Sequence, residues 1–225
     1  MKTTHQTIQT ILMQIKLNKI MPKPLASIQH GEKSIWGNEI ELNNGKKILL
    51  NASSGKGKST FATTVFGLRN DYEGTITYDD VDIKTLSVDD WTEIRKSKIS
   101  VVFQDLQLFP KLSVKENLLL KNSLTDTFTE KELLERLELL EIENKWEQKC
   151  GLLSMGQQQR VAIIRALAQP FKWLVMDEPF SHLDEENTQR CLKLIDKRAT
   201  DINAGFVLTT LGDDHSFNFD QELNL

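Results

Sequence analysis

The sequence predicts an α/β fold with a mostly parallel sheet, because short apolar stretches alternate with segments of helical character. Residues 60–66 and 91–98 have the composition of helices that pack by one apolar side. Strands separated by such helices pair in parallel through right-handed crossovers. The apolar stretches expected to form buried strands are residues 48–50, 99–103, 173–177 and 206–209.

Two parts of the chain depart from this alternation. Residues 1–45 are expected to form a small β region, and residues 74–78 another short strand. Residues from about 105 to 160 are expected to form a helical insertion, because two capping-box patterns there precede leucines at helical spacing. Those patterns are Ser113-Val-Lys-Glu and Thr129-Glu-Lys-Glu. We expect one domain that covers residues 1–225 and includes both parts.

The composition excludes several classes of protein. Charged residues make up 27% of the chain and the net charge is −4, so nucleic acid is not expected as a partner. Cys150 and Cys191 lie far apart without metal-ligating neighbours, which predicts reduced thiols of a cytosolic protein. No apolar run is long enough to cross a membrane, and residues 1–20 do not form a secretory signal. Direct membrane insertion is therefore not expected.

A Gly/Ser-rich turn between the strand at 48–50 and the helix at 60–66 predicts a phosphate-binding loop. Its backbone N–H groups would converge on phosphate oxygens at a helix N-terminus. Lys58 would reach the β- and γ-phosphates, and the Ser59 hydroxyl would bind Mg²⁺. An ordinary Gly/Ser turn is the alternative. The expected nucleotide-binding residues are Ser53, Ser54, Gly55, Lys56, Gly57, Lys58, Ser59 and Thr60.

Four further segments follow this loop in a fixed order. They are Val-Val-Phe-Gln-Asp at 101–105, Leu-Ser-Met-Gly-Gln at 153–157, the Asp177-Glu178-Pro179 end of an apolar strand, and Ser-His-Leu-Asp at 181–184. In this order and spacing, the chain from about Ile40 to its C-terminus resembles the ATP-binding subunits of ABC transporters. The sequence from Val102 to Asn117 is similar to the branch that serves lipoprotein release and macrolide export.

The resemblance implies a P-loop NTPase core with an N-terminal antiparallel β subdomain and a helical subdomain. It implies that Asp177 holds Mg²⁺ through water and that Glu178 is the general base for the attacking water. Gln104 would contact the Mg²⁺ or that water, with a polar strand end as the alternative. The expected catalytic residues are Glu178, Gln104 and Lys58, and the expected metal ligands are Ser59, Gln104 and Asp177.

The resemblance also implies two kinds of protein partner. Ser154, Gly156 and Gln157 would close over the ATP held by a second such subunit, in a homodimer or a heterodimer. The region after Gln104 would receive membrane permease subunits, which choose the cargo and hold the chain at the inner face of the cell membrane. Residues 218–225 would form the last strand of the core, with no regulatory domain after it.

The chain departs from the family pattern at three positions. Ala52 replaces the first glycine of the loop and is expected to alter its entry, because alanine tolerates a positive φ poorly. Met155 replaces another glycine, and Leu211 lies near the usual place of a phosphate-binding histidine. His215 is expected to be a surface residue rather than a displaced replacement for that histidine.

These departures leave an alternative function open. The chain would then be an ATP-gated dimerising module with weak or no hydrolysis, or the degenerate half of a heterodimeric pair. Trp36 is a candidate to stack on the adenine, and a core position is the alternative for it.

Overall fold

The computed structural model describes residues 13–225, so the part of the expected N-terminal β region before Met13 lies outside the described residues. No helix in that described range is long and apolar enough to span a membrane. The strands are β1 (Ile15–Pro22), β2 (Glu39–Leu42), β3 (Lys47–Asn51), β4 (Tyr72–Tyr78), β5 (Val81–Asp82), β6 (Ile99–Val102), β7 (Trp173–Asp177), β8 (Gly205–Thr210) and β9 (Gln221–Asn224). The helices are α1 (Lys58–Val65), α2 (Val88–Ser97), α3 (Val114–Asn122), α4 (Glu130–Leu139), α5 (Met155–Leu167) and α6 (Glu185–Asp201).

A five-stranded sheet in the order β6-β7-β8-β3-β9 forms the centre of the fold, and every pair in it is parallel. Its middle strands β3, β7 and β8 are apolar over most of their length, because both faces of the sheet are covered. Side chains alternate along a strand, so Leu49 faces one layer while Ile48 and Leu50 face the other. This arrangement confirms the predicted α/β class.

The second sheet is antiparallel and has the order β2-β1-β4-β5. Half of its strands come from residues 72–82, so the strand expected at 74–78 joins the β region expected in residues 1–45 in one sheet. Strand β1 pairs with β4 from Ile15 opposite Tyr78 onward, a long-range pairing that local sequence pattern does not encode. Asp79 and Asp80 both have positive φ values and form the tight turn from β4 to β5.

The helices cover the parallel sheet from both sides. Helices α3, α4, α5 and α6 contribute to one apolar cluster with one face of the sheet. Helix α1 and the antiparallel sheet contribute to the cluster on the other face. Helix α2 begins at Val88 instead of Trp91, because Ser87 and Asp90 form a capping box ahead of the predicted start.

The carboxyl ends of β3, β6, β7 and β8 lie at one edge of the parallel sheet. The loops that leave these strands begin at Ala52, Phe103, Glu178 and Leu211. Ligand sites of open α/β sheets lie at this edge. The fold therefore brings the predicted phosphate loop, Gln104 and the Asp-Glu pair to one place.

Candidate functional site

The loop between β3 and α1 turns through two glycines in left-handed conformations. Gly55 has a φ of +78° and Gly57 a φ of +104°. A Cβ on Gly57 would lie 2.5 Å from the Leu25 side chain, whereas one on Gly55 would meet nothing within 4 Å. Ala52 does not adopt a positive φ, and its N–H continues the sheet ladder by donating to the Thr210 carbonyl at 3.2 Å. The loop entry therefore does not require the positive φ that would disfavour alanine.

The N-terminus of α1 lacks a side-chain cap. Its N-cap is Gly57, which has no side chain to accept a hydrogen bond from the first-turn amides. These amides and the positive end of the helix can hold phosphate oxygens, which fits the predicted nucleotide. Helices α2 to α6 all have an N-cap side chain that accepts such a bond: Ser87, Ser113, Thr129, Ser154 and Asp184.

The Lys58 ammonium lies at the centre of the loop and is buried. It donates hydrogen bonds to the carbonyl oxygens of Ala52 and Ser53 at 3.0 and 3.2 Å. Its Nζ also lies 3.2 Å from a carboxylate oxygen of Glu178. The lysine thus places a positive charge between the phosphate loop and the predicted general base, and phosphate oxygens can take the place of these partners.

Asp177 is buried at the end of β7, where Thr209 of the neighbouring strand supports it. The Thr209 hydroxyl donates to Asp177 Oδ1 at 2.9 Å and accepts from the Glu178 N–H at 3.2 Å. Burial raises the pKa of Asp177, while the Ser59 and Thr209 hydroxyls act against it. Thr209 was not among the predicted site residues. The feature that could have indicated it is a polar residue at the end of an apolar strand, in register with Asp177.

Glu178 turns the chain sharply after β7. Its φ is +47°, a left-handed value that is uncommon for a residue with a side chain. The turn carries its side chain to Lys58 and leaves it 17% exposed. Strained backbone of this kind is typical of functional sites, where the surroundings hold it in place.

Gln104 follows β6 and reaches the first turn of α1. Its Oε1 accepts a hydrogen bond from the Ser59 hydroxyl at 3.1 Å. Ser59, Gln104 and Asp177 line one cleft of about 1040 Å³, together with Glu178. The structure therefore brings together the three residues expected to bind Mg²⁺, and their oxygens are the ligands that this ion prefers.

Ser154, Gly156 and Gln157 lie at the start of α5 and not at the phosphate loop. Ser154 and Gln157 form a capping box with bonds of 3.0 and 3.3 Å. A Cβ on Gly156 would lie 2.7 Å from the His182 carbonyl, so glycine allows the 181–184 segment to pack against this helix. Among the hydrogen bonds of residues 13–225, none joins these three residues to the loop.

The remaining candidates have distinct surroundings. Trp36 is buried and its indole N–H donates to the Lys56 carbonyl at 3.1 Å, which makes it a core residue beneath the loop. His215 is half-buried, with its ring edge against Phe180 at 5.3 Å between centroids, so the expected surface position is only partly realised. Met155 and Leu211 are exposed apolar side chains.

A parallel sheet that presents a glycine-rich phosphate loop beside an Asp-Glu pair defines a nucleotide-binding protein of the P-loop class. The ABC transporter family model matches residues 37–181. The chain belongs to this family of ABC transporter ATP-binding proteins.

Several relatives are named as ATP-binding proteins. An uncharacterised ABC transporter ATP-binding protein of Methanocaldococcus jannaschii, MJ0796, is 34% identical over 177 residues, covering 74% of this chain and 75% of that protein. The cell division ATP-binding protein FtsE of Bacillus subtilis is 30% identical, covering 75% of each chain. The lipoprotein-releasing system ATP-binding protein LolD of Hyphomonas neptunium is 31% identical, covering 78% of each. The match to Rv0073 of Mycobacterium tuberculosis covers 50% of its length, so the chain spans about half of that relative.

Solved structures of MJ0796 have the same fold. Its dimeric structure matches with a TM-score of 0.79 and 27% identity, covering 93% of this chain and 94% of that chain. A dimeric post-hydrolysis state of MJ0796 bound to ADP and Pi matches with a TM-score of 0.72 and 30% identity, covering 88% of each chain. These matches confirm the resemblance to ABC transporter ATP-binding subunits.

Proposed function

We propose that the chain hydrolyses ATP in a two-subunit assembly and thereby powers transport by an ABC transporter. The observation that carries this proposal is the convergence of Lys58, Ser59, Asp177 and Glu178 on the uncapped N-terminus of α1. An ordinary Gly/Ser turn would not need a buried lysine, a buried aspartate and a strained glutamate around it.

Each side chain has a defined task in this proposal. Residues 53–60 hold the phosphates of ATP, and Lys58 offsets their charge. The oxygens of Ser59, Gln104 and, through water, Asp177 hold Mg²⁺, which when bound supplies positive charge to the phosphates. Glu178 orients the attacking water and accepts its proton at a carboxylate oxygen. Thr209 keeps Asp177 and the Glu178 backbone in place.

The second half of the site comes from another subunit. Ser154, Gly156 and Gln157 lie away from the loop of their own chain and at an exposed helix N-terminus, which supports a role in trans. The dimeric structures of MJ0796 support the same assembly. We expect the 1–225 domain to dimerise with its nucleotides between the two chains.

Permease subunits would dock after Gln104 and hold the chain at the cytoplasmic face of the membrane. A groove of about 290 Å³ lies there, lined by Phe66, Phe103 and Phe109 among others, and Phe109 is 53% exposed. An exposed aromatic beside such a groove is typical of a protein interface. The names of the FtsE and LolD relatives support a role in a membrane system.

A second candidate function is an ATP-gated dimerising module with weak hydrolysis, or the degenerate half of a heterodimer. This candidate is favoured by the leucine at position 211, near which the resemblance leads us to expect a histidine that binds the γ-phosphate. The Leu211 side chain is 63% exposed and cannot donate a hydrogen bond to phosphate. Removal of one hydrogen-bond donor that stabilises transition-state charge costs an enzyme about 10²- to 10³-fold in rate. Met155 adds a side chain at the helix N-terminus that would face the partner's ATP.

Steady-state hydrolysis of Mg·ATP by the purified chain tests both candidates. Glu178→Gln removes the proton acceptor, whereas Glu186→Gln changes an exposed acid on α6 and is the matched control. Hydrolysis by the parent and the control, with none by Glu178→Gln and with an ATP-stabilised dimer by light scattering, is the expected result. ATP-dependent dimers without hydrolysis by the parent would contradict the proposal and establish the second candidate.

A further inference from the structure

Arg165 in α5 holds the turn that follows Gln104. Its Nη1 donates to the Gln107 carbonyl and its Nη2 to the Leu106 carbonyl, both at 2.7 Å. The planar guanidinium fork can bind two adjacent carbonyls at once, which a lysine ammonium does less well. The two hydrogen bonds therefore join the last turns of α5 to the strand end that carries Gln104.

The turn that Arg165 holds is strained. Leu106 and Gln107 have φ values of +60° and +49°, two successive left-handed residues without a glycine. Such backbone persists only where its surroundings hold it. The Leu106 side chain is buried in the apolar cluster of the helical layer, and the two carbonyls accept from Arg165. Without the guanidinium, only the Leu106 side chain and the backbone hydrogen bonds within the turn would remain to hold it.

The charge of Arg165 has no acidic partner within residues 13–225. Burial lowers the pKa of Arg165. The neighbouring Cys150 supplies no negative charge near neutral pH, because burial raises its own pKa to about 11. A half-buried cation without a carboxylate is costly unless hydrogen bonds satisfy it. The carbonyl oxygens of the turn provide those bonds, so the arginine and the turn depend on each other.

The turn lies beside the proposed metal site. Only Asp105 separates Gln104 from Leu106, and Gln104 accepts from the Ser59 hydroxyl. We propose that Arg165 is a positioning residue for ATP hydrolysis, which fixes the turn so that the Gln104 side chain stays within reach of Ser59 and of Mg²⁺. This inference rests on the proposed function. Ser154 caps the other end of α5. The same helix therefore connects the residues proposed to face the partner subunit with the turn after Gln104, through Arg165.

Hydrogen exchange tests the structural step directly. The amides of Leu106 and Gln107 donate within the turn, to Phe103 and Asp105. Arg165→Met keeps the stem of the side chain but removes both bonds, and exchange at these amides should become about tenfold faster. Arg160→Met is the matched control, because Arg160 lies in the same helix and donates to Gly156, Leu140 and Asn187, none of which belongs to the turn. Equal exchange at the turn in the two variants would overturn the inference.

Binding of Mn²⁺, used in place of Mg²⁺ and followed by electron paramagnetic resonance in the presence of ATP, tests the functional step. Arg165→Met should raise the Mn²⁺ dissociation constant about tenfold, and Arg165→Lys should restore part of the loss, while Arg160→Met should leave it unchanged. Faster exchange at the turn with unchanged Mn²⁺ affinity would overturn the inference. Neither measurement needs turnover, so a parent that binds Mn²⁺ with ATP but does not hydrolyse it would contradict the proposed function alone.

Discussion

Replacement of Thr209 by valine removes one hydroxyl without changing the size of the side chain. That hydroxyl is buried and makes two hydrogen bonds, to Asp177 Oδ1 at 2.9 Å and from the Glu178 N–H at 3.2 Å. Valine can make neither bond. The substitution therefore separates polar support of the Asp-Glu pair from packing, because β8 retains an apolar side chain of similar shape.

The expected loss of stability follows from these two bonds. A hydrogen bond to a charged group contributes about 1.5–3 kcal/mol, and a backbone N–H left without a partner costs about 1–3 kcal/mol. The added methyl offsets part of this sum by about 1 kcal/mol. We expect the free energy of unfolding to fall by about 3 kcal/mol. For a chain of this size the melting temperature should then fall by about 6–12 °C.

Thermal unfolding followed by circular dichroism, with Mg·ATP hydrolysis measured in parallel, checks this prediction. Thr209→Ser is the control, since it keeps the hydroxyl and loses one methyl, at about 1 kcal/mol. Thr209→Val should lose most of the hydrolysis rate at temperatures where it remains folded, because Asp177 and Glu178 lose their shared support. A valine variant as stable and as active as the serine variant would refute the reasoning.

Further predictions concern the loop and the buried side chains. Gly57→Ala should weaken ATP binding much more than Gly55→Ala, measured by calorimetry, because both positions are left-handed but only Gly57 lacks room for a Cβ; equal losses would contradict this. Trp36→Phe should lower stability by about 1–2 kcal/mol and leave the ratio of ATP to GTP affinity unchanged, since the indole is buried. Burial raises the pKa of Cys150 to about 11 and that of Cys191 to about 12, so iodoacetamide at pH 8 should label neither thiol before unfolding. Because unfolded thiols ionise near 9.0 and the folded ones do not, stability should fall as pH rises above 9.

Much of the fold could be predicted because the strands are apolar and the helix starts have capping boxes. The stretches at 48–50 and 173–177 lie in β3 and β7, and the boxes at Ser113 and Thr129 begin α3 and α4. The start of α2 was misplaced because its box ends in aspartate instead of glutamate. The set of strands that forms the antiparallel sheet could not be predicted, since it depends on pairing between segments distant in sequence.

The arrangement of the candidate site was predictable where a motif fixes the position of a side chain at a strand end or a helix start. The phosphate loop, Gln104 and the Asp-Glu pair converge as the sequence indicated. The contacts of Thr209 and Arg165 could not be predicted, because they depend on strand register and on helix packing. Ala52 does not need the positive φ that alanine tolerates poorly, because its N–H continues the β3 ladder.

The central claim is that each ATP is hydrolysed between the loop of one chain and the α5 N-terminus of another. Lys58→Met disables a chain's own loop, and Ser154→Arg disables the surface that it offers to its partner. The most direct test is Mg·ATP hydrolysis by the two variants alone and mixed. Two inactive variants that regain activity on mixing are the predicted result, because the mixed dimer has one complete site. A mixture as inactive as its components, beside an active parent, would contradict the account.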